Sequence, residues 1–152
     1  MTSNTDKKKQ IVETIIELLA SLYAFGFSKP QVTKEEWSTT LTLMLSEIAL
    51  EIEVDWRDFD IFVLVVRLEK GKMPSGYYVS QGRPCRYHLQ KIIADQNWKV
   101  DQESLSMISP GKKGKKQDTK RTEEGLLERF RVYKKVLDGC VENLVKKGEA
   151  VF

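Results

Sequence analysis

Residues 59–68 read FDIFVLVVRL, and this stretch carries the clearest structural signal of the chain. It is rich in β-branched and aromatic residues, which favour a β-strand. Apolar residues occupy both sets of alternating positions, so both faces of the strand need cover from other elements. We therefore expect a buried strand at 59–68 in the interior of a sheet. The longest apolar run, 61–66, is too short to cross a membrane.

Patterns on either side of this strand predict its neighbours. Residues 77–80 have strand character and follow a turn region at 69–76, so we expect 59–68 and 77–80 to pair as a hairpin. Thr33 and Glu36 match a helix capping box, which predicts a second helix. That helix would bury one face, formed by Trp37, Leu41, Met44, Leu45 and Ile48. From residue 50, apolar and charged residues alternate, so 50–57 fits either a strand or the end of this helix.

Helical spacing predicts three further helices. The first follows the frayed residues 1–5 and ends at Gly26, and the third has Pro84 in its first turn and ends near Asn97. Residues 98–108 fit a strand or a helix. A long amphipathic helix of about 26 residues runs from Thr122 to Gly148 and exceeds the usual mean length. The chain is thus predicted to be one α+β domain, 1–152, whose small, mostly antiparallel sheet is packed by about four helices.

The positive charge of the chain is concentrated in residues 109–122. This segment carries six cations and one acid, a charge of +5, whereas the whole chain carries +3, so the remainder carries −2. The segment has no apolar residue after Pro110 that could join a core, and it is predicted to be a flexible basic loop. Polyanions are attracted to such a loop without any folded site.

A second basic cluster lies at 76–91, where tyrosines alternate with cations. Arg83 and Arg86 flank the predicted start of the third helix, where backbone N–H groups attract anions. Arginine adds bidentate phosphate recognition and tyrosine offers a face for base stacking. The alternative is that the tyrosines pack on the sheet and the arginines pair with nearby acids. The candidate binding residues of the two clusters are Tyr77, Tyr78, Arg83, Arg86, Tyr87, His88, Lys91, Lys112, Lys113, Lys115, Lys116, Lys120 and Arg121.

The residues that carry catalysis in other proteins do not form a recognisable constellation. His88 is the only histidine, and with Cys85 it supplies too few ligands for a zinc site. The carboxylates between Glu51 and Asp60 could act in pairs, but strand alternation explains them as the solvent side of a strand and its turn. The two cysteines suggest no disulfide framework, and we expect a reducing cytoplasm. The sequence therefore predicts no catalytic residues, no metal and no cofactor.

These observations favour a binding role over an enzymatic one. The first hypothesis is a non-enzymatic binding module that acts as an accessory, regulatory or inhibitory partner of another protein. The alternative is a protein that binds RNA or DNA through the basic loop and the arginine- and tyrosine-rich surface. We expect no membrane association, and the sequence leaves the oligomeric state and the identity of the partner open.

Overall fold

The computed structural model describes residues 4–109 and 121–152 as an α+β fold. The strands are β1 Gln31–Lys34, β2 Ser38–Met44, β3 Ile48–Asp55, β4 Asp60–Arg67, β5 Val79–Ser80, β6 Arg83–Pro84 and β7 Arg86–His88. The α-helices are α1 Asn4–Leu19, α2 Leu89–Gln96, α3 Gln102–Ile108 and α4 Glu123–Lys147, and short 3-10 helices lie at Ala20–Phe25 and Glu149–Val151. Helix α1 begins inside the segment 1–5 that was predicted to be frayed, and residues 1–3 lie outside the described residues.

The main sheet has the order β1-β2-β3-β4-β7, and each neighbouring pair is antiparallel. Strand β4 lies between β3 and β7, as its apolar sequence predicts. Val63 and Leu64 point to opposite faces of the sheet, and both are fully buried. The expectation that this strand is covered on both faces is therefore confirmed.

One face of the sheet, which we call the helical face, carries the main core. Alternate strand residues such as Leu50, Ile52 and Val63 belong to this core, together with buried side chains from α1, α2, α3 and α4. The long C-terminal helix is confirmed over 25 residues. It contributes a stripe that includes Leu126 and Phe130, both fully buried. At about 25 cal/mol per Å² of apolar surface removed from water, such a stripe dominates the stabilisation of the helix.

The opposite, outer face of the sheet has a different cover. A second, smaller cluster there consists of Ala49, Val66 and Leu68, with Met44 packed against it. Residues 69–85, which belong to the connection from β4 to β7, fold over part of this face and form the β5–β6 ribbon. Since the helices pack on the other side, this segment decides which part of the outer face solvent can reach.

The second helix predicted from the capping box at Thr33 is wrong. The chain instead forms the exposed strand β1, a turn at 35–37, and then strands β2 and β3. Trp37, Leu41 and Ile48 do show a helical spacing, but Leu41 and Leu43 also alternate with Thr40 and Thr42. A run rich in threonine favours a strand because β-branched side chains lose rotamer freedom in a helix. Residues 50–57 accordingly lie in β3 and the turn after it.

The predicted pairing of 59–68 with 77–80 is also wrong. Strand β5 pairs with β6, while β4 pairs with β7. The two residues between β5 and β6, Gln81 and Gly82, both have positive φ angles of 52° and 75°. This is the geometry of a tight hairpin turn whose twist matches that of the flanking strands. The local turn thus outcompetes pairing across the longer connection.

The helix predicted to begin near Pro84 begins later. Helix α2 starts at Leu89 and ends before Asn97, while Pro84 lies in β6, where its missing N–H is tolerated at a strand end. Residues 98–108, whose sequence fits a strand or a helix, contain helix α3. The carboxylate of its N-cap Asp101 accepts a hydrogen bond from the backbone N–H of Ser104 at 3.0 Å. In the part of the chain that the structure describes, no helix has the length and apolar character needed to cross a membrane.

Candidate functional site on the outer face of the sheet

The outer face is built by the alternation of strand residues that do not enter the main core. Thr40 and Thr42 of β2 lie beside Glu53 and Glu51 of β3, which lie beside Phe62 and Leu64 of β4. Strand β7 adds His88 opposite Leu64, and Arg86 opposite Val66. Because successive strand residues point to opposite faces, these polar residues share one surface.

A buried ion pair joins Glu51 and Arg86 on this face. Arg86 Nε donates to Glu51 Oε1 at 2.9 Å, and Arg86 Nη2 donates to Glu51 Oε2 at 3.0 Å. Both side chains are only 6% exposed. The two residues belong to different strands, and their side chains meet across β4, which lies between them. The fork of two parallel hydrogen bonds satisfies the carboxylate, which water cannot solvate at this depth.

Tyr77 covers this ion pair on its solvent side. Its backbone carbonyl accepts a hydrogen bond from Arg86 Nη1, and its ring centre lies 4.1 Å from the guanidinium carbon. Its hydroxyl donates to Glu53 Oε1 at 2.6 Å, and the ring of Tyr78 meets it edge-on at 4.5 Å. Burial, with the nearby carboxylate of Glu53, raises the pKa of Tyr77 well above its usual range. Tyr77 is thus held as a neutral hydrogen-bond donor.

Glu53 is a carboxylate whose pKa is raised by this environment. Partial burial raises its pKa above the ordinary value of 4.5, the hydrogen bond from Tyr77 opposes the rise, and the charge of Glu51 adds to it. The side chain is half-buried at the border between the covered and the open parts of the outer face. A cation arriving at this border would therefore relieve an existing electrostatic cost.

Buried polar contacts anchor the segment 69–85. The thiol of Cys85 donates to the carbonyl of Tyr77 at 3.0 Å, and Arg67 Nε donates to the carbonyl of Pro84 at 3.0 Å. The hydroxyl of Ser80 donates to Glu69 Oε1 at 2.7 Å. Burial raises the pKa of the Cys85 thiol, which keeps it protonated and poorly nucleophilic. These contacts fix the cover over the ion pair.

The structure brings together only some of the residues predicted from the 76–91 cluster. Arg86 is buried against Glu51, as the alternative interpretation of this cluster anticipated, and is not offered to an external anion. Arg83 is exposed and lies 3.5 Å from the carbonyl oxygen of Phe152. Neither arginine flanks a helix N-terminus, because α2 begins at Leu89.

The other predicted residues lie around the start of α2. Tyr87 points to the helical face and stacks on Phe152, with ring centres 5.0 Å apart. Lys91 pairs with Asp95 at 2.7 Å on the exposed surface. His88 meets the ring of Phe62 edge-on at 6.0 Å, and burial lowers its pKa below 6.5. Lys91 Nζ lies 5.5 Å from the centre of the Tyr87 ring, and Tyr87 and Arg83 both contact Phe152, whereas His88 lies on the outer face of the sheet.

Of the candidate binding residues in the basic loop, Arg121 lies within the described residues. Arg121 Nη1 pairs with Asp60 Oδ2 at 2.8 Å at the start of β4. Lys112, Lys113, Lys115, Lys116 and Lys120 lie outside the described residues, as does the prediction that this loop is flexible.

The open part of the outer face forms a groove with a volume of about 420 Å³. Trp37, in the turn between β1 and β2, stands on its border with half of its surface exposed. The guanidinium of Arg57 lies 5.1 Å from the centre of the Trp37 ring. The complete lining is Glu35, Trp37, Ser38, Thr40, Glu53, Val54, Asp55, Arg57, Asp58 and Phe62.

This groove was missed by sequence reasoning. The sequence pattern places Trp37 in the buried face of a helix, and it explains Glu53 and Asp55 as the solvent side of a strand and its turn. The alternation in 38–44 was the signal that could have placed Trp37 in a turn beside these acids.

Comparison of the chain with protein-family models, with curated proteins and with solved structures finds no match. Within residues 4–109 and 121–152, no group of three or more histidine, cysteine, aspartate or glutamate side chains could hold a metal ion.

Proposed function

We propose that this protein is a non-enzymatic binding module, an accessory, regulatory or inhibitory partner of another protein, which it contacts through the outer face of its sheet. One observation carries the proposal. The helices cover a single face of the sheet, and on the other face exposed aromatic side chains stand on and beside an open groove.

The aromatic residues have the exposure that an interface needs. Trp37, Tyr77 and Tyr78 are 50%, 44% and 52% exposed, and Val79 beside them is 58% exposed. Tryptophan and tyrosine are enriched among the residues that dominate binding energy in protein interfaces. Several exposed aromatic side chains on one face of a protein typically mark an interaction site.

The support beneath this surface is rigid, which favours binding. Tyr77 is held by the hydrogen bond to Glu53, by its contact with the Arg86 guanidinium and by the bond from the Cys85 thiol to its carbonyl. A side chain that is already fixed loses little rotamer entropy when a partner docks. Tyr77 and Glu53, whose pKa values are both raised, are hydrogen-bonded to each other. This supports a binding role for the face over an acid–base role.

Site-specific photocrosslinking in cells tests the proposal. A benzophenone amino acid at Trp37 or Tyr78 should give one discrete adduct with the same partner protein. The matched controls are Phe25 and Val145, which are 38% exposed and lie in the helical layer. Their benzophenone variants should give no such adduct. Equal adducts from all four positions, or turnover of a substrate abolished by Glu53→Gln, would contradict the proposal.

Binding of nucleic acid through the basic loop and the arginine- and tyrosine-rich surface stays a prediction, without Arg86, which is buried against Glu51. Its test is a titration with single-stranded RNA at two salt concentrations. Phosphate contacts by the loop should give an affinity that falls by about one log–log slope unit for each phosphate neutralised. Changing Lys112, Lys113, Lys115 and Lys116 to alanine should flatten that slope.

A further inference from the structure

We infer that the occupant of the groove is a basic segment of the partner protein, which places an arginine side chain against Trp37 and beside the carboxylates of Glu53 and Asp58. This inference rests on the proposed function, because it names the chemistry of the partner that the outer face would contact. It is argued from the open sheet face, the aromatic border and the charge of the lining.

The lining of the groove has an excess of negative charge. Four acids, Glu35, Glu53, Asp55 and Asp58, face one cation, Arg57. In the described part of the chain, none of these four carboxylates has a cation within ion-pair distance. By contrast, Glu51, Asp60 and Asp95 are paired with cations. The groove is therefore complementary to a positive ligand and repels phosphate.

The carboxylate oxygens of these acids differ in how many hydrogen bonds they already accept. Asp55 Oδ1 accepts hydrogen bonds from the backbone N–H groups of Arg57 and Asp58, so it shapes the turn between β3 and β4. Glu53 Oε1 accepts the hydroxyl of Tyr77. The side chains of Glu35 and Asp58 are exposed, so their carboxylates can receive donors from a ligand. A guanidinium, with five donors in a planar fork, fits such a set better than an ammonium does.

The aromatic border also favours arginine. Trp37 already accepts the guanidinium of Arg57 on its ring, at 5.1 Å from the ring centre. The same kind of contact recurs between Arg86 and Tyr77 at 4.1 Å. Phe62 lines the groove as a second ring. A guanidinium can stack on an aromatic face and bind a carboxylate in its own plane at the same time.

The experiment uses a labelled peptide in which Gly-Ser-Arg is repeated three times, and counterparts with lysine or citrulline in place of arginine. Citrulline keeps the shape of arginine and removes its charge. Fluorescence anisotropy at about 50 mM and about 300 mM salt measures affinity, since exposed ion pairs are screened by salt. Amide chemical shifts of the full chain locate the binding surface.

The arginine peptide should bind in a saturable manner, the lysine peptide more weakly, and the citrulline peptide not measurably. Shifts should concentrate at Trp37, Thr40 and Phe62. Glu35→Gln and Asp58→Asn should each weaken binding by about two- to fivefold, the range expected for an exposed ion pair. The matched control is Glu142→Gln, an exposed acid of α4 that should leave the affinity unchanged.

Binding of the citrulline peptide as strongly as the arginine peptide would overturn the inference, as would shifts spread over acids of the helical layer. A crosslinked partner found at Trp37 without peptide binding would leave the proposed function standing and refute only the basic occupant. Peptide binding without any crosslinked partner in cells would do the reverse. Self-association of the chain through this face would contradict both.

Discussion

The buried ion pair of Glu51 and Arg86 yields a prediction about the stability of the fold. Replacement of Arg86 by methionine removes both donors from a carboxylate that is 6% exposed and also removes a donor to the Tyr77 carbonyl. Breaking one side of a buried ion pair costs about 3–5 kcal/mol, because the other charge stays buried without a partner. That loss is a large part of a typical stability of about 5–15 kcal/mol.

Urea denaturation followed by circular dichroism measures this loss. The midpoint should fall by about 2 M for a slope near 2 kcal/mol per M, and the slope itself should be unchanged. Glu51→Leu alone should be similarly destabilised, because Arg86 then stays buried without its carboxylate. The double variant with leucine at 51 and methionine at 86 should recover most of the stability, since no unpaired charge remains.

The exposed pair of Lys91 and Asp95 provides the control. Both side chains are more than half exposed, and Asp95→Asn should change the free energy of unfolding by less than about 0.5 kcal/mol. A loss below about 1 kcal/mol for Arg86→Met, or a double variant no more stable than the single variants, would refute the reasoning from an uncompensated buried charge.

Three further predictions concern single groups. Burial raises the pKa of Glu53, so the folded state binds its proton more tightly than the unfolded chain does. The free energy of unfolding should therefore fall as pH rises above 4.5, and Glu53→Gln should remove this dependence on pH in urea titrations. Burial lowers the pKa of His88, so stability should fall as pH drops below 6.5, and His88→Gln should flatten that fall; parallel curves would contradict the assignment. Gly76→Ala would drive a Cβ into the Val79 carbonyl oxygen, and the free energy of unfolding, measured by thermal melts, should fall by about 3 kcal/mol. Gly71 has open space around it but a φ of +76°, so Gly71→Ala should cost about 1 kcal/mol in the same measurement.

The sequence alone was sufficient where one local pattern had one structural solution. Strand β4 is apolar at every interior position of 61–66, so it needed cover on both faces whichever elements supplied it. The apolar residues of α4 recur at helical spacing over many turns, and no strand can place them on one face. Gly26 ends the first helical segment with a φ of 102°, a conformation that glycine adopts without strain.

Tertiary structure decided the features whose local pattern had two solutions. The apolar residues between Trp37 and Ile48 fit a helix and a strand alike, and pairing with β3 selected the strand. Arg86 and Glu51 are 35 positions apart, and each alone resembles a solvent-facing charge. The order of the strands brings their side chains together across β4, and the segment 69–85 above them excludes water. Burial of a polar face depends on what covers it, and that cover is not encoded in the strand that it hides.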